Sequence, residues 1–140
     1  MGTTLWVLSK SKVKDGDDWD HSALFNAMEK LDPVCEHLGL VKLSSFLDWT
    51  DFDANMSEDD EFPSEETMRS KETWFAPSEA LPILRALHQL FISSESERKS
   101  LFSEGYQYLA DDLIEELDDC ISKIEKIDTK GDLFHFCVVM

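Results

Sequence analysis

Positive charge is scarce in this chain. Its 140 residues include 13 Lys and Arg against 30 Asp and Glu, which gives a formal net charge of −17. Proteins that bind nucleic acids use clustered Lys and Arg to contact the phosphates, and anionic membrane surfaces attract the same side chains. We therefore expect neither a nucleic-acid partner nor a membrane partner.

Cysteine and long apolar runs are scarce as well. The three cysteines, Cys35, Cys120 and Cys137, are odd in number and include no CxxC pair, which argues against a disulfide framework. No apolar run approaches the ~20 residues of a membrane-spanning helix, and the first residues lack the basic region and long apolar stretch of a signal peptide. We expect a cytoplasmic protein whose thiols are reduced and mostly buried.

Glycine is rare and scattered, which excludes the catalytic motifs that depend on closely spaced glycines. The five glycines stand singly, so the chain has neither a glycine-rich phosphate loop nor a G-x-S-x-G nucleophile elbow. No two histidines are four residues apart, and His88 and His135 fall on apolar faces that are typical of core histidines. Acidic pairs such as Asp59 and Asp60 are too common here to mark a catalytic pair. We predict no cofactor and no structural metal, and we lean away from an enzyme.

Apolar residues make up 42% of the chain, enough for one core. Polar stretches at 10–18 and 93–99 predict connections between elements. Apolar patterning predicts strands over 3–9 and 133–139, a third strand or extended segment at 40–43, and helices over 20–31, 33–38, 78–92 and 106–127. We predict an α+β fold: a helix-rich single domain over residues 1–140, with a small sheet formed by the N- and C-terminal strands.

The clearest helical pattern lies at 106–127. Lysines gather at its C-terminal end, where they complement the helix dipole. Its stripe fits either a coiled coil or a helix packed in its own core, and the overwhelmingly acidic flanks favour the core helix. The apolar residues recur at steps of four and three: Tyr106, Ala110, Leu113, Leu117, Cys120, Ile124 and Ile127. The acids of the opposite face are Asp111, Asp112, Glu115, Glu116, Asp118 and Asp119.

The last four residues, CVVM, match a prenylation pattern. Prenylated tails usually carry basic residues upstream, whereas LFHF precedes Cys137 here. We therefore favour a buried terminal strand over a lipid-modified tail.

Residues 51–66 hold eight acids and no Lys or Arg, which predicts a long exposed acidic loop within the domain. Asp51, Asp53 and Asn55 match the start of an EF-hand calcium loop. The match then fails, because Met56 replaces the required glycine and Phe62 replaces the bidentate glutamate. We expect a solvated loop there, and weak binding of a divalent cation stays open.

Two short segments resemble a family of small, acidic bacterial proteins: LSSF at 43–46 and WFAPSEAL at 74–81, together with the aromatic terminal strand. Members of that family share an L-S-x-F turn, an acidic middle and a W-F-[DA]-x-x-E-[GA]-L helix start. The resemblance spans residues 3–139 and implies a bacterial origin, but it carries over no activity and no catalytic residue. Pro82 departs from the family's helix start.

The charge and the absence of a catalytic constellation predict a non-enzymatic module that binds a basic protein. The sharpest form is an immunity or inhibitor protein whose acids cover the cationic active site of a toxin such as a nuclease. We expect a monomer or weak dimer. The candidate residues are exposed acids, and tryptophans that lie beside acids or close the core: Asp51, Asp53, Glu58, Asp59, Asp60, Glu61, Trp49, Trp74, Asp112, Glu115, Glu116 and Asp119.

Two alternatives stay open. One is a small enzyme with a carboxylate or metal-assisted site in a pocket between helices and sheet. The other is that the acidity only keeps the domain soluble and specifies no partner.

Overall fold

The two ends of the chain meet in one sheet, as the sequence predicts. The computed structural model describes residues 3–15, 17–50, 52 and 72–139. Strand β1 (Thr4–Ser9) pairs antiparallel with the central strand β3 (Phe134–Val139), from Thr4 opposite Val139 to Ser9 opposite Phe134. A two-residue strand β2 (Leu47–Asp48) pairs parallel with the other edge of β3. With the helices below, this makes a single α+β domain and confirms the predicted fold class.

The third strand lies later in the chain than the apolar run at 40–43 suggested. Leu43–Phe46 forms a 3₁₀ turn whose two apolar ends, Leu43 and Phe46, are both buried. The turn thus places both side chains in the core. Strand β2, which pairs with β3, begins only after the turn. Further along, the backbone of Phe75 exchanges two hydrogen bonds with Phe134, at 2.8 and 2.9 Å, and so extends the same edge of β3.

Helix α1 (Ser22–His37) is continuous, although the sequence predicted two helices divided at Asp32 and Pro33. An interior proline costs about 3 kcal/mol. Leu31 and Cys35, on either side of it, are fully buried, and burial of a large apolar side chain such as that of Leu31 contributes about 1.5–3 kcal/mol. Packing on both sides of Pro33 therefore offsets much of the cost of the proline. The helix ends at His37, and Gly39, which the sequence predicts as its stop, follows two residues later with a φ of 73° that suits glycine.

The remaining helices are α2 (Pro77–Ser93), α3 (Glu95–Lys99) and α4 (Leu109–Thr129). The polar stretches at 10–18 and 93–99 were predicted as connections, but they hold a 3₁₀ segment (Lys10–Asp15) and α3 respectively. Among the helices of the described part of the chain, none is long and apolar enough to cross a bilayer.

Helix α4 supplies much of the core and packs against α2 and α1. The buried part of its stripe is Ala110, Leu113, Leu117, Cys120 and Ile124. Tyr106 was predicted to open this stripe, but it is exposed and precedes the helix, which begins after a turn at Gly105 with a φ of 93°. All three cysteines are buried, and Cys137 lies in the central strand, as the strand interpretation of CVVM requires.

Candidate functional site: an acidic helix face and two buried clusters

The predicted acidic residues fall into three groups in the structure. Six of them lie outside the described residues: Asp51, Asp53, Glu58, Asp59, Asp60 and Glu61. The four on α4 form two pairs. Asp112 and Glu115 are exposed, whereas Glu116 and Asp119 face the interior of the protein. The exposed pair belongs to a candidate binding surface, and the other pair joins α4 to the beginning of α1.

Asp112, Glu115 and Asp118 follow one another at three-residue steps along the exposed side of α4, and we call them the acidic strip. Acids next to the strip are neutralised by arginines: Asp111 lies 3.5 Å from Arg98, and Glu125 lies 2.8 Å from Arg85. Among the described residues, no lysine or arginine forms an ion pair with the three acids of the strip. The strip is therefore an exposed row of acids that no described cation neutralises.

Glu116 differs from the expectation that it belongs to the exposed acidic face. Its side chain is buried, and its two carboxylate oxygens accept hydrogen bonds from the backbone N–H groups of Ala23 and Leu24, at 3.2 and 3.0 Å. These amides open α1, whose own N-cap residue, His21, makes no capping hydrogen bond. Burial raises the pKa of Glu116, and the two amide hydrogen bonds offset part of that rise. Glu116 thus caps α1 from another helix.

Asp119 also faces inward, toward a fully buried histidine. The Nε2 atom of His21 lies 2.7 Å from Oδ2 of Asp119, and its Nδ1 atom lies 3.0 Å from the carbonyl oxygen of Leu5. Both ring nitrogens therefore have a hydrogen-bond partner, and the imidazole links the turn before α1 to β1 and to α4.

Lys123 completes this cluster. Its ammonium group pairs with Asp119 at 2.8 Å, with Asp18 at 2.7 Å and with Asp17. Burial acts to lower the pKa of Lys123, but hydrogen bonds to the three carboxylates outweigh it and raise the pKa well above the usual range. We call His21, Asp17, Asp119 and Lys123 the His21 cluster, and it joins the turn before α1 to the second half of α4.

The two predicted tryptophans behave differently. Trp74 is half-buried and stacks on the ring of His135, with ring centres 3.8 Å apart and planes 9° from parallel. Trp49 is 40% exposed, and it contacts Phe25 and Phe52 edge-on. It borders a groove of about 500 Å³ that also includes Glu29 and Asp32. Of these two tryptophans, Trp49 is therefore the one that presents an exposed aromatic surface beside acids.

A second buried cluster surrounds His135, which the sequence pattern predicts to be an ordinary core histidine. In this cluster, His135 lies near two carboxylates, Asp48 and Glu72. The three residues come from the end of β2, the segment before α2 and the beginning of β3, and they are far apart in the chain. No spacing in the sequence shows such a meeting, because it depends on how β2 and β3 pair.

In the part of the chain that the structure describes, the fold and these features define a small α+β protein with an acidic helix face free of ion pairs and two buried His–carboxylate clusters. In comparisons with protein-family models, curated proteins and solved structures, nothing matched this chain. The resemblance to a family of small acidic bacterial proteins therefore stays a prediction.

Proposed function

We propose that this protein is a non-enzymatic binding module of the bacterial cytoplasm that captures a basic protein partner through the acidic strip of α4. The observation that carries the proposal is the row formed by Asp112, Glu115 and Asp118, which no described cation neutralises. It acts as a monomer or weak dimer.

The energetics of the strip support a role in binding. Like charges one turn apart on a helix destabilise it by about 0.2–0.5 kcal/mol per pair. Asp111 and Glu125 are spared this cost by arginine partners, whereas the three acids of the strip are not. Lys and Arg on a partner would relieve the repulsion, and the long-range field would speed the encounter.

Helix α4 is a rigid support for such a surface. Its opposite side is packed in the core, and Glu116 and Asp119 bond it to α1 and to the turn before α1. A preorganised row of carboxylates can take the place of backbone phosphates in a cationic active site. The sharpest form of the proposal is therefore an immunity or inhibitor protein for a toxin such as a nuclease.

The groove beside Trp49 suits the same type of partner. A lysine or arginine side chain placed there would meet the face of an indole ring, together with the carboxylates of Glu29 and Asp32. Cation–π contacts of this kind contribute about 0.5–2 kcal/mol, and partly exposed tryptophans often anchor interfaces.

The alternative of a small enzyme has support of a different kind. The Asp48–Glu72–His135 cluster does bring acids and a histidine together, but the three side chains are at most 4% exposed. The grooves beside Trp49 and beside Tyr106 are lined by other residues. Within the described residues, these three side chains are too buried to meet a reacting substrate, so we retain the binding module.

Affinity purification with the full chain as bait tests the proposal. The bait is compared with an Asp112→Asn, Glu115→Gln variant, and with a Glu79→Gln, Glu97→Gln variant that removes the same charge from exposed positions on α2 and α3. We expect a partner of high pI that is retained by the wild type and the control and lost with the strip variant. Equal retention by all three baits, or loss with both variants, would support acidity that only solubilises the protein.

A further inference from the structure

The side chains of Asp48, Glu72 and His135 converge inside the protein on the edge of the sheet. They are 4%, 1% and 0% exposed. The Nε2 atom of His135 lies 3.7 Å from a carboxylate oxygen of Glu72, and its Nδ1 atom lies 3.9 Å from one of Asp48. One potential ligand atom from each residue lies within 4.8 Å of the other two. We propose that these three side chains bind one Zn²⁺ ion.

The ring of His135 is oriented as a ligand. Its Nδ1 atom lies 2.9 Å from the carbonyl oxygen of Thr73. Because a carbonyl oxygen only accepts, Nδ1 carries the proton, and the lone pair of the neutral ring lies on Nε2, on the side of Glu72. Metal-binding histidines are usually held this way, with the other ring nitrogen donating to a carbonyl or a carboxylate.

The other groups around the cluster are fixed as well. The carboxylate of Asp48 accepts hydrogen bonds from the backbone N–H groups of Thr50 and Thr73, at 3.0 and 2.8 Å, and each of its oxygens keeps a further lone pair. Trp74 covers the face of the imidazole and limits the orientation of its plane. Ligands that are already oriented need little rearrangement when a metal binds.

The ligand set favours zinc. Imidazole nitrogen suits Zn²⁺, whereas Mg²⁺ and Ca²⁺ prefer oxygen ligands alone. Around a tetrahedral Zn²⁺ with bonds of about 2.0–2.2 Å, ligand atoms lie about 3.4 Å apart. The 3.7 Å between Nε2 of His135 and the Glu72 oxygen needs only a small contraction, whereas Asp48, which lies on the Nδ1 side of the ring, must move toward the ion. Two carboxylates and one neutral imidazole would offset the charge of the dication, and water would fill the fourth position.

A bound ion would have a definite structural effect. Asp48 and Glu72 flank the stretch 49–71, and His135 lies on the central strand. The ion would therefore fasten both ends of that stretch to the middle of the sheet. Because the folded state binds the metal far better than the unfolded chain, zinc should raise the stability of the protein.

The test is a titration of the full chain with Zn²⁺ after treatment with a chelator, in competition with a chromophoric chelator. We expect one equivalent of zinc, a rise in the melting temperature on zinc addition, and no displacement by equal concentrations of Mg²⁺ or Ca²⁺. Glu72→Gln and His135→Gln should weaken binding by at least about 100-fold, a loss as large as that caused by mutating residues behind metal ligands. His88→Gln and Glu115→Gln, the matched controls, should leave it unchanged.

Zinc affinity that survives in a folded His135→Gln variant, or that falls in the Glu115→Gln control, would overturn the proposal in favour of binding at the acidic surface. If the buried variants fail to fold, X-ray absorption at the zinc edge of the wild-type protein decides instead. One imidazole among nitrogen and oxygen ligands supports the site, and a spectrum with oxygen ligands alone contradicts it.

Discussion

The Nε2 atom of His21 lies 2.7 Å from Oδ2 of Asp119, and this contact links the turn before the first helix to the last helix. His21 is fully buried, and Lys123 shares the same carboxylate. The pairing places part of the protein's large negative charge inside the fold, where it holds the two helices together.

Asp119→Asn should therefore destabilise the protein. The change removes the charge that faces both His21 and Lys123 while leaving an amide oxygen as acceptor. Hydrogen bonds to a charged group contribute about 1.5–3 kcal/mol against about 0.5–1.5 kcal/mol for neutral ones, so we expect a loss of about 1–2 kcal/mol. Urea unfolding measures the loss. Asp118→Asn, the neighbouring change in the acidic strip, is the matched control and should alter the free energy of unfolding by no more than about 0.5 kcal/mol. Equal effects of the two changes would mean that the His21 contact contributes nothing.

Substitution of two neighbouring acids, Glu115 and Glu116, distinguishes the effect of helix capping on stability from the effect of surface charge. Glu116→Ala leaves the N–H groups of Ala23 and Leu24 without their acceptor, which should cost about 1–2 kcal/mol, as loss of a helix cap does. Glu115→Ala removes an exposed acid of the strip and should be nearly neutral or slightly stabilising. Thermal or urea unfolding of the two variants checks this. A neutral Glu116→Ala variant would contradict the assignment of Glu116 as the cap of α1.

The raised pKa of Lys123 predicts a stability effect at alkaline pH. The unfolded chain loses this proton near the ordinary value of 10.5, before the folded protein does. The stability that the ammonium group contributes is therefore complete below that pH, and it is lost as the pH rises toward the higher pKa of the folded state. The difference in unfolding free energy between the wild type and Lys123→Met should be constant from about pH 7 to about pH 10 and shrink above 10.5. A difference that shrinks between about pH 7 and about pH 9 instead would mean that other groups dominate.

Elements that follow from a local apolar pattern could be predicted from the sequence. Features that depend on contacts with residues distant in the chain could not. The terminal strands and helix α4 follow from periodic apolar residues, and the structure confirms them. Pro33 predicted a break in α1, but the burial of Leu31 and Cys35 on both sides of it overrides a local preference.

The acids show the same limit. Glu116 and Asp112 look alike in the sequence, and only the position of α1 buries one and exposes the other. One signal was available: Glu116 lies three residues after Leu113 and four before Cys120, at the edge of the apolar stripe. The meeting of Asp48, Glu72 and His135 has no such signal, since it depends on strand pairing across the whole chain.

Binding of a basic protein by the acidic strip is tested most directly by the affinity of the purified complex as a function of salt. For the wild type and the Glu79→Gln, Glu97→Gln control, we expect an affinity that falls steeply between about 0.05 M and about 0.5 M salt, because screening shortens the range of the charges. The Asp112→Asn, Glu115→Gln variant should bind at least about tenfold more weakly at low salt, a loss of about 1.4 kcal/mol, with a shallower slope. An affinity that is independent of salt, or a strip variant that matches the control, would contradict it.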